Sequence, residues 1–213
     1  MKSNLILFFL SFVFFTSAVH AHTFTGMVGF YDGLSHPVLG IDHFLAMVSV
    51  GIVSAQIGGR AIWTIPATFV LMMIIGGTIG MLIEVFFFNL EESAFIVVEY
   101  GIVFSVILLG LAIAIEKKIA TNIIMFFICI FGMCHGLAHG MEMPWAVNPI
   151  LFALGFASGT ATLHLFGVGI GSIAIKTKFS SIVLRIAGVG CCLLYTSDAA
   201  DEGLGVDLGG RRI

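Results

Sequence analysis

Along this chain, polar residues gather in short turns, and the runs between them are apolar. The runs cover approximately 37–57, 61–88, 93–115, 119–143, 147–175 and 180–195. A helix needs about 20 consecutive apolar residues to cross a bilayer. The pattern predicts an all-α fold, a polytopic transmembrane helix bundle of six spans following a cleaved signal peptide. The second and fifth runs exceed the required length and are expected to tilt or reach into the interface. The sixth is cut short by a polar C-terminal segment.

Composition agrees with the pattern. The 213 residues are 59% hydrophobic and only 10% charged, with a mean hydropathy of +1.14. A soluble domain carries about 25% charged residues, so this chain cannot cover a water-facing surface. No long polar segment leaves room for a soluble domain. The net charge of −3 offers no basic patch for nucleic acid. Cys129, Cys134, Cys191 and Cys192 lie inside apolar runs, and none forms a CxxC pair, so they read as buried thiols.

The N-terminus, MKSNLILFFLSFVFFTSAVHA, places Lys2 before an apolar stretch from Leu5 to Phe15, then small residues. Val19 and Ala21 fit the −3 and −1 positions of a signal-peptidase site, so residues 1–21 are expected to be removed after export. An uncleaved anchor is the alternative, with a rather short apolar core. His22 would then begin the mature chain, either as a metal chelator with its free amine or as a plain polar terminus. Residues 22–195 form the expected six-span domain. The segment SDAADEGLGVDLGGRRI is glycine-rich and charged, lacks an amphipathic period, and resembles read-through of a sequencing adapter. Residues 196–213 are expected to be disordered and receive no function, and the natural protein is expected to continue differently after about Leu194.

Orientation follows from charge. With His22 outside, successive turns alternate, and Arg60, Lys117, Lys118, Lys176 and Lys178 all fall inside, while Glu91 and Glu92 fall outside. That is the positive-inside arrangement. Arg185 near the inner end of the last span is placed to snorkel. The expected location is a bacterial inner membrane, with the mature N-terminus outside. Small residues in GGTIG (Gly76, Gly77, Gly80) and GFASG (Gly155, Gly159), followed by Gly167, Gly169 and Gly171, point to closely packed helices.

Two polar constellations interrupt the apolar runs. In HGLAHGME, His135, His139 and Glu142 stand at i, i+4 and i+7 and share a helix face. Two imidazoles and a carboxylate suit nickel, cobalt or zinc. A hydrogen-bonded packing cluster is the plain alternative, but ionisable groups in lipid are costly and usually functional. In HPVLGIDH, Pro37 suits the first turn of a helix, His36 its start, and His43 the same face seven residues on. Asp42 is either a direct ligand or the group that orients an imidazole. Alternating topology puts all of these in the outer half, together with Glu84 near the end of span two and Glu99 in the first turns of span three. Those two carboxylates also have a plain reading as wet surface groups. His164 lies deeper, as a second station on an inward path or a packing histidine bonded to a hydroxyl. Met133, Met141 and Met143 read as filler.

The two motifs together, in this order, resemble the HupE/UreJ family. These are membrane proteins associated with hydrogenase and urease maturation and regarded as nickel or cobalt permeases. The likeness covers residues 1 to about 194. His36, Asp42 and His43 meet its histidine–five residues–aspartate–histidine pattern, and His135, Gly136, Ala138, His139, Gly140 and Glu142 meet HGxAHGxE. The resemblance implies uptake of Ni2+ or Co2+, with Zn2+ admitted by the donors, feeding hydrogenase or urease maturation proteins. No GxxxxGK[ST] motif supplies ATP chemistry. An intramembrane metal-dependent hydrolase or oxygenase, and a non-transporting sensor or accessory subunit, are the competing readings.

Overall fold

A computed structural model describes residues 29–86, 92–116, 119–143 and 147–204. The expected signal peptide, His22, Glu91, Lys117 and Lys118 lie outside the described residues, as do residues 205–213. The described chain is helical: α1 (Phe30–Leu39), α2 (Ile41–Ile57), α3 (Ala61–Phe86), α4 (Glu92–Ile115), α5 (Thr121–Met141), α6 (Pro149–Ala174) and α7 (Lys178–Leu204). Among the described residues, α3, α5, α6 and the Val97–Ile115 part of α4 are long and apolar enough to cross a membrane. The bent pair α1–α2 makes a fifth. The sixth expected span, 180–195, falls in α7, which is not among them. Large apolar side chains such as Trp63, Phe86, Leu165, Ile173 and Phe179 are exposed on the outer faces. So many exposed apolar groups fit a multi-pass membrane protein whose solvent is lipid.

Two expectations need correction. The first span is not one helix from residue 37. It begins at Phe30 and breaks at Gly40, where α1 and α2 meet at 84°. Pro37 stands in the last turn of α1 rather than the first turn of a helix. It has no N–H to give the carbonyl one turn back, so it weakens the helix end. Gly40 then takes an extended backbone, φ −84° and ψ 121°, which stops α1 and starts α2. His36 and His43 therefore occupy different helices and share no helix face. At the other end, α7 continues as helix to Leu204, into the segment expected to be disordered. No proline or glycine interrupts the chain between Cys191 and Glu202, so no residue there stops the helix before Gly203.

Helix α3 packs most extensively on α5, α6 on both α2 and α1, and α7 on α4. Each pairing uses glycine as its point of closest approach. A Cβ added at Gly136 of α5 would lie 2.1 Å from the Met73 carbonyl oxygen, and one at Gly140 would lie 2.2 Å from that of Gly77. Gly51 of α2 meets the His164 carbonyl, and Gly167 of α6 meets that of Val48. Gly33 and Gly155 do the same between α1 and α6, and Gly110 and Gly188 between α4 and α7. Without side chains between them, the backbones gain dispersion contact over their full surface.

The register of these contacts gives relative directions. Phe69, Met73 and Gly77 meet Gly132, Gly136 and Gly140 in the same order, so α3 and α5 run parallel. Helices α2 and α6 also run parallel, whereas α4 and α7 are antiparallel. Alternating spans require this arrangement. It puts Arg60, Lys176, Lys178 and Arg185 at one end of the bundle, and the starts of α1 and α6 with the end of α5 at the other. At the basic end, Arg185 Nε donates to the Ala114 carbonyl at 2.8 Å and approaches Glu116 at 3.7 Å.

The glycine contacts generate a paired test. Gly136→Ala should lower the thermal unfolding midpoint in detergent, because overpacking against backbone costs about 1–3 kcal/mol. Gly169→Ala, whose added Cβ meets nothing within 4 Å, should leave the midpoint unchanged or slightly higher.

Candidate metal site

Glycine packing aims the histidines. Successive residues of a helix point about 100° apart. With Gly136 and Gly140 pressed on α3, the preceding His135 and His139 turn toward α1, α2 and α6. There the His139 ring stands 4.5 Å from the His36 ring of α1, 4.5 Å from the His43 ring of α2 and 4.7 Å from the Phe156 ring of α6. His43 also lies 5.3 Å from His135 and 6.3 Å from His36. The bend at Gly40 makes this meeting possible by turning the start of α2 back beside the end of α1. A Cβ at Gly40 would come within 3.0 Å of both Asp42 Oδ1 and His43 Nδ1, so the bend also leaves room for that pair.

Hydrogen bonding assigns proton positions in the neutral rings. The His135 Nδ1 faces the Phe131 carbonyl at 2.9 Å. A carbonyl can only accept, so Nδ1 carries the hydrogen and Nε2 carries the lone pair. His43 Nδ1 likewise donates to Asp42 Oδ1 at 2.8 Å, leaving a lone pair on its Nε2. Asp42 Oδ1 thus stands behind the His43 ring, where a carboxylate holds an imidazole in orientation. Neither Nε2 has a partner, and neither nitrogen of His139 is hydrogen-bonded. Among the described residues, every buried side-chain nitrogen or oxygen without a partner belongs to a histidine. An unmet buried polar atom costs about 1–3 kcal/mol, and these nitrogens stand available as donors to a cation.

The carboxylates open the pocket to the surface. Glu142 caps the C-terminus of α5, and its Oε2 lies 3.6 Å from His139 Nδ1, beyond hydrogen-bond length. Donor atoms of His36, His139 and Glu142 all lie within 4.8 Å of one another. A tetrahedral ion with bonds of about 2.0–2.1 Å needs donors about 3.3 Å apart, a contraction that side-chain rotation can supply. Side-chain exposure falls from 43% at Glu142 and 31% at Asp42 to 12% at His43 and 4% at His139, and His135 is fully buried. The set thus forms a funnel from a carboxylate rim to an imidazole floor. Partial burial, and then the nearby Glu99 carboxylate, raises the pKa of Glu142.

The remaining expected residues divide. Glu99 joins the rim through its effect on Glu142. Glu84, half-buried near the end of α3, makes no hydrogen bond or ion pair among the described residues. His164 sits deeper, and the hydroxyl partner expected in its packing role is absent: both its nitrogens are unpartnered. The nearest turn's Thr160 hydroxyl points instead to Met73 Sδ at 3.6 Å. Cys134 packs against Gly101 of α4, away from the imidazoles.

Several contributors were not anticipated. Phe152 and Phe156 wall His36 at 6.1 and 5.8 Å, and Phe69 lies under His135 at 5.3 Å. The Gly132, Gly136, Gly140 stripe was also overlooked. Its four-residue period is visible in the sequence beside the histidines it orients.

Residues 10–196 match the family described as HupE / UreJ protein. The chain is also 37% identical over 172 residues to Protein HupE of Rhizobium leguminosarum bv. viciae, covering 81% of this chain and 85% of that relative. No solved structure matches it. The match spans both histidine motifs and every described helix up to the polar end of α7, and on it this chain belongs to the HupE/UreJ family.

Proposed function

We propose that the protein is a secondary permease that takes up a divalent transition-metal ion, nickel or cobalt, to supply metalloenzyme maturation. The observation that carries this reading is the convergence of His36, His139 and Glu142 donor atoms within 4.8 Å of one another, with the His43 and His135 rings beside them and buried ring nitrogens of His43, His135 and His139 unpartnered. Imidazole with carboxylate suits these ions, and family membership points the same way. Glu142, Glu99 and Asp42 attract the hydrated cation, and the imidazoles replace its water. The bundle would lie in a bacterial inner membrane with the carboxylate rim outside and the Arg60, Lys176 and Arg185 end inside.

Energy is available without ATP. At about 2.3 kcal/mol per charge per 100 mV, a divalent cation gains about 4.6 kcal/mol from an inside-negative potential of about 100 mV. That supports a concentration ratio above about a thousandfold, so a pore-like relay with a selective mouth suffices.

Three outcomes test the reading. His36→Ala and His139→Ala should each abolish radioactive nickel uptake in metal-starved cells; normal uptake through either correctly inserted variant would overturn the proposal. Asp42→Ala should retain the fold but weaken half-saturation by about 10–100-fold, because His43 loses the group that orients it. Lowering external pH should reduce uptake, since Glu142, with its raised pKa, takes a proton before an ordinary carboxyl would and then no longer offers a charged ligand. An initial-rate profile between about pH 7 and 4 checks this, with the loss beginning above the ordinary carboxylate range.

A further inference from the structure

The permease reading accounts for the outer imidazoles and leaves His164 unexplained. Its side chain is fully buried, and both ring nitrogens lack a partner. A neutral imidazole always presents one N–H and one lone pair, so leaving both unmet in the middle of a helix bundle is expensive. The ring touches the Phe69 ring edge-to-face at 5.1 Å, and Phe69 touches His135 at 5.3 Å on its other side. His164 is also near enough to His135 for the two to interact electrostatically. Along α6 it stands eight residues past Phe156, which walls the outer cluster; at ~1.5 Å per residue that is about 12 Å deeper.

The surroundings hold other donors. Thr160, one turn toward the outer cluster on the same face of α6, is fully buried, and its hydroxyl meets Met73 Sδ of α3. Imidazole nitrogen, hydroxyl oxygen and thioether sulfur therefore line the step between His135 and His164. Gly51 packs on the His164 carbonyl, and the Phe69 ring blocks the direct line to His135.

We propose that His164 is a second cation station, one aromatic ring below the outer cluster, which accepts the metal ion from His135 with Thr160 and Met73 as auxiliary donors. This rests on the permease reading and extends it inward. The ion exchanges the imidazoles and carboxylate of the outer cluster for the neutral donors of the inner one, a ligand exchange in which no oxidation state changes. The inner station has fewer imidazoles and no carboxylate, so it holds the ion more weakly than the outer cluster. That ordering lets capture occur outside and release occur inward.

Two measurements on the full-length protein test it. In detergent, Co2+ binding is followed by visible absorbance and metal analysis in His36→Ala/His139→Ala, with and without His164→Gln. The outer double variant should retain a Co2+ signal that disappears when His164 is also replaced; equal binding in the two would overturn the second station. In proteoliposomes, His164→Gln should lower the maximal Ni2+ uptake rate by about tenfold while leaving half-saturation within about twofold, the signature of a transit step rather than of capture. His164→Phe, which fills the space without a donor, should fail in the same way. Wild-type rates in either variant would show a packing role and overturn the proposal. Thermal midpoints close to wild type confirm that each variant is folded. If the wild type moves no metal but His164-dependent Co2+ binding persists, the permease reading falls and the second station stands.

Discussion

The closest approach of backbone to backbone at glycine is the constraint on which this structure depends. In lipid there is no hydrophobic gain from burying one apolar helix against another, so association rests on contact area and on the few polar groups that must be enclosed. Gly136 and Gly140 bring α5 onto the backbone of α3, and Gly51 and Gly167 bring α2 onto α6. These seams set the rotation of each helix. Rotation decides where the next residue points, and on α5 the neighbours of the glycines are His135 and His139. Packing and chemistry are thus encoded in adjacent positions of one helix, a quarter-turn or so apart.

Enclosing imidazoles in this way is costly, and that cost supports the proposed role. Most buried polar groups in a folded chain find a partner. Here the buried Ser54 and Ser105 both return their hydroxyls to backbone carbonyls of their own helices. The histidines do so only in part. His43 and His135 each give one N–H, to Asp42 and to the Phe131 carbonyl, and leave Nε2 unmet, while both nitrogens of His139 and of His164 are unmet. These open positions are what the proposed ion-binding role would use.

The same geometry supplies a gradient. Carboxylates lie at the rim, four imidazoles form the cluster beneath them, and His164 follows past the Phe69 ring. Ligand charge and ligand number both fall along this line, while burial rises. On the proposed permease reading, a cation descending it would meet progressively weaker holds, and the membrane potential would offset the decline. The basic groups at the far end, among them Arg185 tied to Ala114 and Glu116, close the opposite face of the α4–α7 pair.

Much of this was legible in the residues alone. Apolar run lengths marked α3, α4, α5 and α6 nearly to their ends, because hydrophobicity and turn residues are local properties. The HGLAHGME stripe was readable for the same reason: i, i+4 and i+7 share a face in any regular helix. The break at Gly40 was not foreseen, because Pro37 fits a helix start as well as a helix end, and only packing against α6 distinguishes the two. Nor was the partner of Asp42 readable, since a neighbouring carboxylate can ligate or orient. His164 shows the limit most clearly. In the sequence it is a lone histidine in an apolar run, and a helix that is apolar all round does not reveal which face is inside. Local residue patterns were enough to mark the helices, their alternation and the donor groups each carries. Tertiary structure alone decided which faces meet, because that depends on glycine contacts between segments far apart in the chain.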